Sequence, residues 1–246
     1  MALLESLEPN VLLHIIASSV SGFVLGVAGG VVFTRKKDSR LNQLFLGFFV
    51  GIGLHQIFDA GMTYFHIGLN DIDVSNLLRD FSILFLILGL NFGALAVLTI
   101  YFGDQSLFKA NRLVPWFIIV GLLVLGGILG DNLLLGGYYG DQPGKQRELI
   151  GWLGITGAFI VYSAIIVLFL VLLIIGIVDR TVQKKFVGLI AGFLMIITVV
   201  FCFDISFVFP LFQEIIKNSF GHLLTHAVAL LGALITVIVL WSPMKS

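Results

Sequence analysis

Long apolar stretches alternate with short polar breaks from one end of this chain to the other. The apolar runs lie near residues 10–33, 42–68, 80–102, 113–137, 150–178, 186–212 and 219–241. Each reaches the ~20 residues that an α-helix needs to cross bilayer hydrocarbon. The pattern therefore predicts an all-α polytopic membrane protein, with residues 1–246 forming a single seven-transmembrane-helix bundle. The breaks run from Thr34 to Arg40, Asn70 to Arg79, Gly103 to Arg112, Tyr138 to Arg147, Asp179 to Lys185 and Gln213 to Asn218. They are polar and turn-like, and their shortness places consecutive helices side by side.

The basic residues orient this bundle, because short loops rich in Lys and Arg stay in the cytoplasm. Arg35, Lys36, Lys37 and Arg40, then Lys109 and Arg112, then Arg180, Lys184 and Lys185, and finally Lys245 occupy alternate connections and the C-terminal tail. The opposite connections hold Arg79, Lys145, Arg147 and Lys217, together with Asp71, Asp73, Asp80, Asp141, Glu148 and Glu214. The expected topology is N-terminus outside and C-terminus cytoplasmic, in a multi-pass protein of the cell membrane. The acidic start of the chain lacks the basic region of a secretory signal, so the first run reads as a retained span.

Composition agrees with this reading. The chain is 59% hydrophobic and 11% charged, against roughly 45–50% and 25% in soluble domains, and its mean hydropathy is +1.09. Formal net charge is zero, with basic residues in short clusters and no continuous stripe. That distribution excludes nucleic acid as a partner and leaves membrane lipids, with a small-molecule or lipid ligand as a further candidate. The one cysteine, Cys202, rules out an intramolecular disulfide and Cys-type metal motifs. Gly22, Gly26 and Gly30 form a small-residue ladder on the first span, suited to close helix packing.

The chemistry concentrates where hydrocarbon makes it costly. All five histidines, His14, His55, His66, His222 and His226, lie in or at the ends of apolar runs, as do Asp59, Asp131 and Asp204. An ionisable group in such a place needs a partner or a function. Under the expected topology all of them fall in the outer half of the membrane, with His55 near mid-depth. At about 100° per residue, His55, Asp59 and His66 come within roughly 40° of one another on the second span. His222 and His226 stand four residues apart, so both imidazoles leave one side of the last span. Such a pair, joined by His55, His66 or Asp59, would give zinc three ligands and an open position, the arrangement in which bound water becomes a nucleophile near neutral pH. Asp204 or Asp131 would then act as base or orient an imidazole.

Seven spans with His222-x-x-x-His226 on the last and a further histidine on the second resemble the superfamily of alkaline ceramidases, progestin and adiponectin receptors and haemolysin III proteins. The resemblance implies a zinc-dependent membrane hydrolase or a related receptor. The metal would be held by His222, His226 and either His66 or His55. That family also places a serine four residues before the second-span histidine and an aspartate on the third span. Here those places hold Gly51 or Met62, and the third span offers Asp80 at its mouth and Asn91 inside. Gly51-Ile52-Gly53-Leu54, Phe58-Asp59 and His66 are also similar to a family of histidine-rich bacterial membrane proteins.

Two other cofactors are weighed on the same residues. Microbial rhodopsins share the seven-helix arrangement, but Gly221 through Trp241 contains no lysine for a Schiff base, so retinal is excluded. Bis-histidine haem would have to use His55 with His226, which differ in depth by about one to two turns, and ranks below zinc. Three functions compete for the cluster: a metal-dependent hydrolase of a lipid amide or ester, a cation or proton carrier, and a seven-helix receptor or sensor without enzymatic activity. The inner half carries few polar residues beyond Asn42, Gln43 and Asn91, which disfavours a carrier path. Oligomeric state is not legible.

Overall fold

The computed structural model describes residues 9–35, 37–103, 113–118, 120–122 and 219–241, with Leu7 and Lys109. The described residues contain no strand. Four long helices are built from them: α1 (Pro9–Arg35), α2 (Arg40–Thr63), α3 (Ile72–Phe102) and α4 (Ser219–Trp241). Three stretches, Val11–Arg35, Arg40–Gly68 and Ile72–Ala96, are long and apolar enough to cross a membrane.

Local chemistry sets the helix ends. Pro9 opens α1, where its fixed φ suits the first turn and its missing N–H is no loss. Ser39 caps α2, its side chain accepting from the Asn42 amide. The turn before it is tied by Asn42 Nδ2, which donates to the Val32 carbonyl at 2.9 Å, and by Gln43 Nε2, which donates to the Lys37 carbonyl at 2.9 Å. At its far end α2 passes into a π-helical turn, Tyr64–Gly68. Asn70 then takes a left-handed φ of 53°, a conformation that asparagine tolerates better than most residues. Asp71 caps α3 by accepting from the Val74 amide at 3.1 Å.

That cap shortens a connection expected to run from Asn70 to Arg79. The helix starts at Ile72, and its first turns are polar because they face inward: Ser75 and Arg79 are buried. Ser75 Oγ donates to the Met62 carbonyl at 3.0 Å, fastening the start of α3 to the end of α2. Hydropathy alone misses this turn because it cannot register that Ser75 is bonded to the end of α2.

Glycines set the helix spacing. A Cβ placed on Gly22 would stand 2.5 Å from the Gly53 carbonyl oxygen, and one on Gly51 would stand 2.5 Å from the Gly89 Cα. Thus α1 and α2 touch at Gly22 and Gly53, while α2 and α3 touch at Gly51 and Gly89. Only one member of the expected ladder serves this purpose. A Cβ on Gly26 or Gly30 would meet nothing within 4 Å, whereas Gly29 lies against Phe49. The α-helical repeat carries Gly30 off the α2-facing side and leaves Gly26 with its backbone beside Gly53 but its own Cβ direction open.

The core is a cluster of Leu25, Ala28, Val32, Leu44, Phe45, Phe48, Phe49, Ile52, Leu95, Ala96 and Ala233. It fills the end of the bundle where α1 finishes and α2 begins. Because His226 lies against Ser21 and Ala233 joins this core, α4 runs in the same direction as α1. The inward stripe of α1, half-buried His14 and then buried Ser18, Ser21, Leu25, Ala28 and Val32, follows a four-three spacing that keeps one face inward. It is polar in its first half and apolar in its second.

Candidate functional site

Four helices bring their polar stripes together at the end of the bundle where α1 begins. His14 of α1 meets Asp59 of α2, with Nε2 to Oδ2 at 2.9 Å. His55, one turn before Asp59, turns to α3: its Nδ1 is 2.8 Å from Ser82 Oγ and 3.2 Å from the Ser82 carbonyl. Ser82 Oγ in turn donates to the His55 carbonyl at 3.3 Å. Protonated Nδ1 satisfies all three contacts and leaves the Nε2 lone pair of His55 for a proton or a cation.

From α4, His226 is buried and its Nδ1 lies 2.9 Å from Ser21 Oγ on α1. Ser21 is one turn below Ser18 and two below His14, on the same inward stripe. Imidazoles from α1, α2 and α4 thus share one end of the bundle with the Asp59 carboxylate, and among the described residues His14 is the one bonded to it. Each of the three histidines is fixed through a ring nitrogen by a named partner: Asp59, Ser82 or Ser21.

The sequence-predicted residues fall differently around this cluster. Asp59, His55 and His226 belong to it. His55 and Asp59 share the inward side of α2 but engage opposite neighbours, α3 and α1. His66 sits in the π-helical turn, where the wider pitch breaks the angular register that grouped it with Asp59. His222 lies one turn before His226 on α4, and its side chain is outside the described residues. Asp131 and Asp204 are outside them as well, as are the runs 150–178 and 186–212.

No protein-family model, curated protein or solved structure matches the chain. The site is therefore read from its own geometry.

Zinc favours His nitrogen and Asp oxygen, and those donor types are present. Among the described residues, however, no group of three or more His, Cys, Asp or Glu side chains is placed to hold one metal ion. Asp59 and His14 are hydrogen-bonded to each other, so the described centre is held by proton-mediated contacts. His55 and His226, paired on sequence for haem, are each bonded to a serine, Ser82 and Ser21.

The sequence pattern alone assigns no site role to Ser21, Ser82 or His14, and it counts Arg79 as part of a connection. The signal is present: His14, Ser18 and Ser21, and likewise Ser75, Arg79 and Ser82, repeat at four and then three residues, the spacing of one helix face.

The other end of the bundle contrasts with this one. Phe48 and Phe49 are fully buried, with ring centroids 5.4 Å apart. The polar groups there are bonded locally, except for Asn91 Nδ2, which is buried without a hydrogen-bond partner among the described residues. Asn42 bonds to Val32, Thr236 Oγ1 donates to the Gly232 carbonyl at 2.9 Å, and Trp116 Nε1 donates to Asn91 Oδ1.

Proposed function

We propose that this chain is a seven-span protein of the cell membrane, N-terminus outside and C-terminus cytoplasmic, that works as a receptor or sensor through the imidazoles around Asp59. The observation that carries the reading is the His14–Asp59 contact, at the same end of the bundle as His55 and His226 and set above a core of phenylalanine. Histidine changes charge near neutral pH. Charge added between helices held at glycine contact alters their packing and so reports on the medium outside. A carrier would need polar groups continuing through the core, and among the described residues that line ends at Phe45, Phe48 and Phe49.

Two features support the finer topology. α1 and α4 run in the same direction, so an odd number of crossings must join α3 to α4. The three apolar runs between residues 113 and 212 supply it. The basic connections fall on the side where α1 ends, as a cytoplasmic face requires.

A second reading, the zinc-dependent hydrolase of a lipid amide or ester, draws support from His226. A metal-ligating imidazole is commonly oriented through its other nitrogen, as Ser21 does here, and His222 follows one turn away for a second ligand. Asp204 or Asp131 would supply the base.

Elemental analysis of detergent-purified protein, wild type against His226→Ala, combined with tryptophan fluorescence from about pH 8 to pH 5, a range spanning the ordinary histidine titration, separates the two. The sensor reading expects no stoichiometric metal and a pH-dependent signal that Asp59→Asn abolishes. Stoichiometric zinc lost in His226→Ala would replace it with the hydrolase. A metal-free protein whose fluorescence ignores pH would remove both.

A further inference from the structure

Among the described residues, buried oxygens of the polar half without a hydrogen-bond partner include Ser18 Oγ on α1 and Gln56 Oε1 on α2, besides Asn76 Oδ1 on α3. Ser18 Oγ is wholly buried on the inward stripe of α1, and Gln56 Oε1 is buried on α2. A buried oxygen with nothing to bond destabilises a fold by more than an ordinary hydrogen bond stabilises it, so the pair points to a ligand between them.

Helix geometry directs both into one space. At about 100° per residue, Ser18 is turned about 40° from Gly22, which faces α2, and about 60° from Ser21, which meets α4. It looks between those two helices. On α2, Gln56 and Asp59 fall on either side of the direction of Ile52, a buried core residue, between α1-facing Gly53 and α3-facing Gly51. The helices are antiparallel, so Ser18, one turn above the Gly22–Gly53 contact, is level with Asp59. Among the described residues His14 is the one hydrogen-bond partner of that carboxylate.

We propose that Ser18 Oγ, Gln56 Oε1 and the Asp59 carboxylate form a binding site for a sodium ion. The donors are all hard oxygens, which favour alkali and alkaline-earth ions over zinc. A single carboxylate suits a monovalent ion, since divalent sites gather more oxygen charge. The ion gives Asp59 a positive neighbour whenever the surrounding imidazoles are neutral, a countercharge that hydrocarbon surroundings demand. This inference rests on Asp59 being the centre of the site, but not on whether the imidazoles sense protons or hold zinc.

The test is thermal unfolding of the purified full-length protein in sodium chloride against choline chloride at equal ionic strength. Wild type should melt about 3 °C higher in sodium, with a saturable concentration dependence. Ser18→Ala should fold, since it removes an unpartnered hydroxyl at little change in volume, and should lose the sodium increment while matching or exceeding wild type in choline. Asp59→Asn should lose the increment as well. Equal melting of wild type in both salts, the result expected if water alone fills the space, overturns the proposal, as does a full increment in Ser18→Ala. A pH response that survives such a failure leaves the sensor reading intact, so the two can fail separately.

Discussion

The two ends of this bundle are made from the same helices and the same spacing rule, yet they differ in what they bury. Where α1 ends, its stripe presents Leu25, Ala28 and Val32 to Phe45, Phe48 and Phe49. Where α1 begins, the stripe presents His14, Ser18 and Ser21 to Asp59 and His226. Packing alone explains the first end: aromatic rings and small residues fill space between helices that lipid would solvate equally well, so fit supplies the attraction. It does not explain the second, where ionisable groups sit at a cost that apolar residues would avoid. The difference teaches that packing accounts for one end of the bundle, while the other buries polar groups that packing does not call for.

The largest effect that would sharpen the contrast is expected in the apolar end. Phe48→Ala should destabilise by about 3 kcal/mol, the low end for a buried phenylalanine, because separated helices would keep the side chain in lipid. Unfolding in mixed micelles measures this, and a change below about 1 kcal/mol would mean that the Phe cluster does not hold the helices, against the usual cost of such a cavity.

Helix contact provides the next test. Gly22→Ala puts a methyl 2.5 Å from the Gly53 carbonyl oxygen and should cost about 2 kcal/mol by forcing α1 from α2. Gly26→Ala, one turn along, meets nothing within 4 Å and should be neutral or stabilising by up to about 0.5 kcal/mol. Equal effects in the same unfolding assay would contradict the assigned face of α1.

In the polar end the expected stability changes are smaller and the functional ones larger. Ser82→Ala removes the partner of His55 Nδ1 and should cost only about 0.6 kcal/mol, the average for a hydrogen bond between membrane helices. The same variant should change the pH response, because His55 is no longer held in one tautomer. A loss of several kcal/mol with an unaltered pH response would make Ser82 a structural residue and break the comparison.

For the four described long helices, extent was largely legible in the sequence, and α4 begins at Ser219 and ends at Trp241 as hydropathy places it. The first turns of α3 were not, because hydropathy counts Ser75 and Arg79 as loop residues and cannot know that Ser75 bonds back to Met62. Within the site, depth alone brought His55, Asp59 and His226 to one end. What the chain could not reveal is partnership across helices: that Asp59 meets His14, that His55 turns away to Ser82, and that His226 meets Ser21 at a separation of 205 residues. A π-helical turn, which no periodicity announces, moved His66 out of the register assumed for it.

The central claim is that three imidazoles from three helices act on one carboxylate as a unit. Nuclear magnetic resonance of the labelled histidine rings in micelles, wild type against Asp59→Asn, tests it most directly. The account predicts that removing the Asp59 charge changes the ring resonances of His14, His55 and His226 and leaves those of His66 unmoved. Ring resonances of all three unchanged in Asp59→Asn would contradict it.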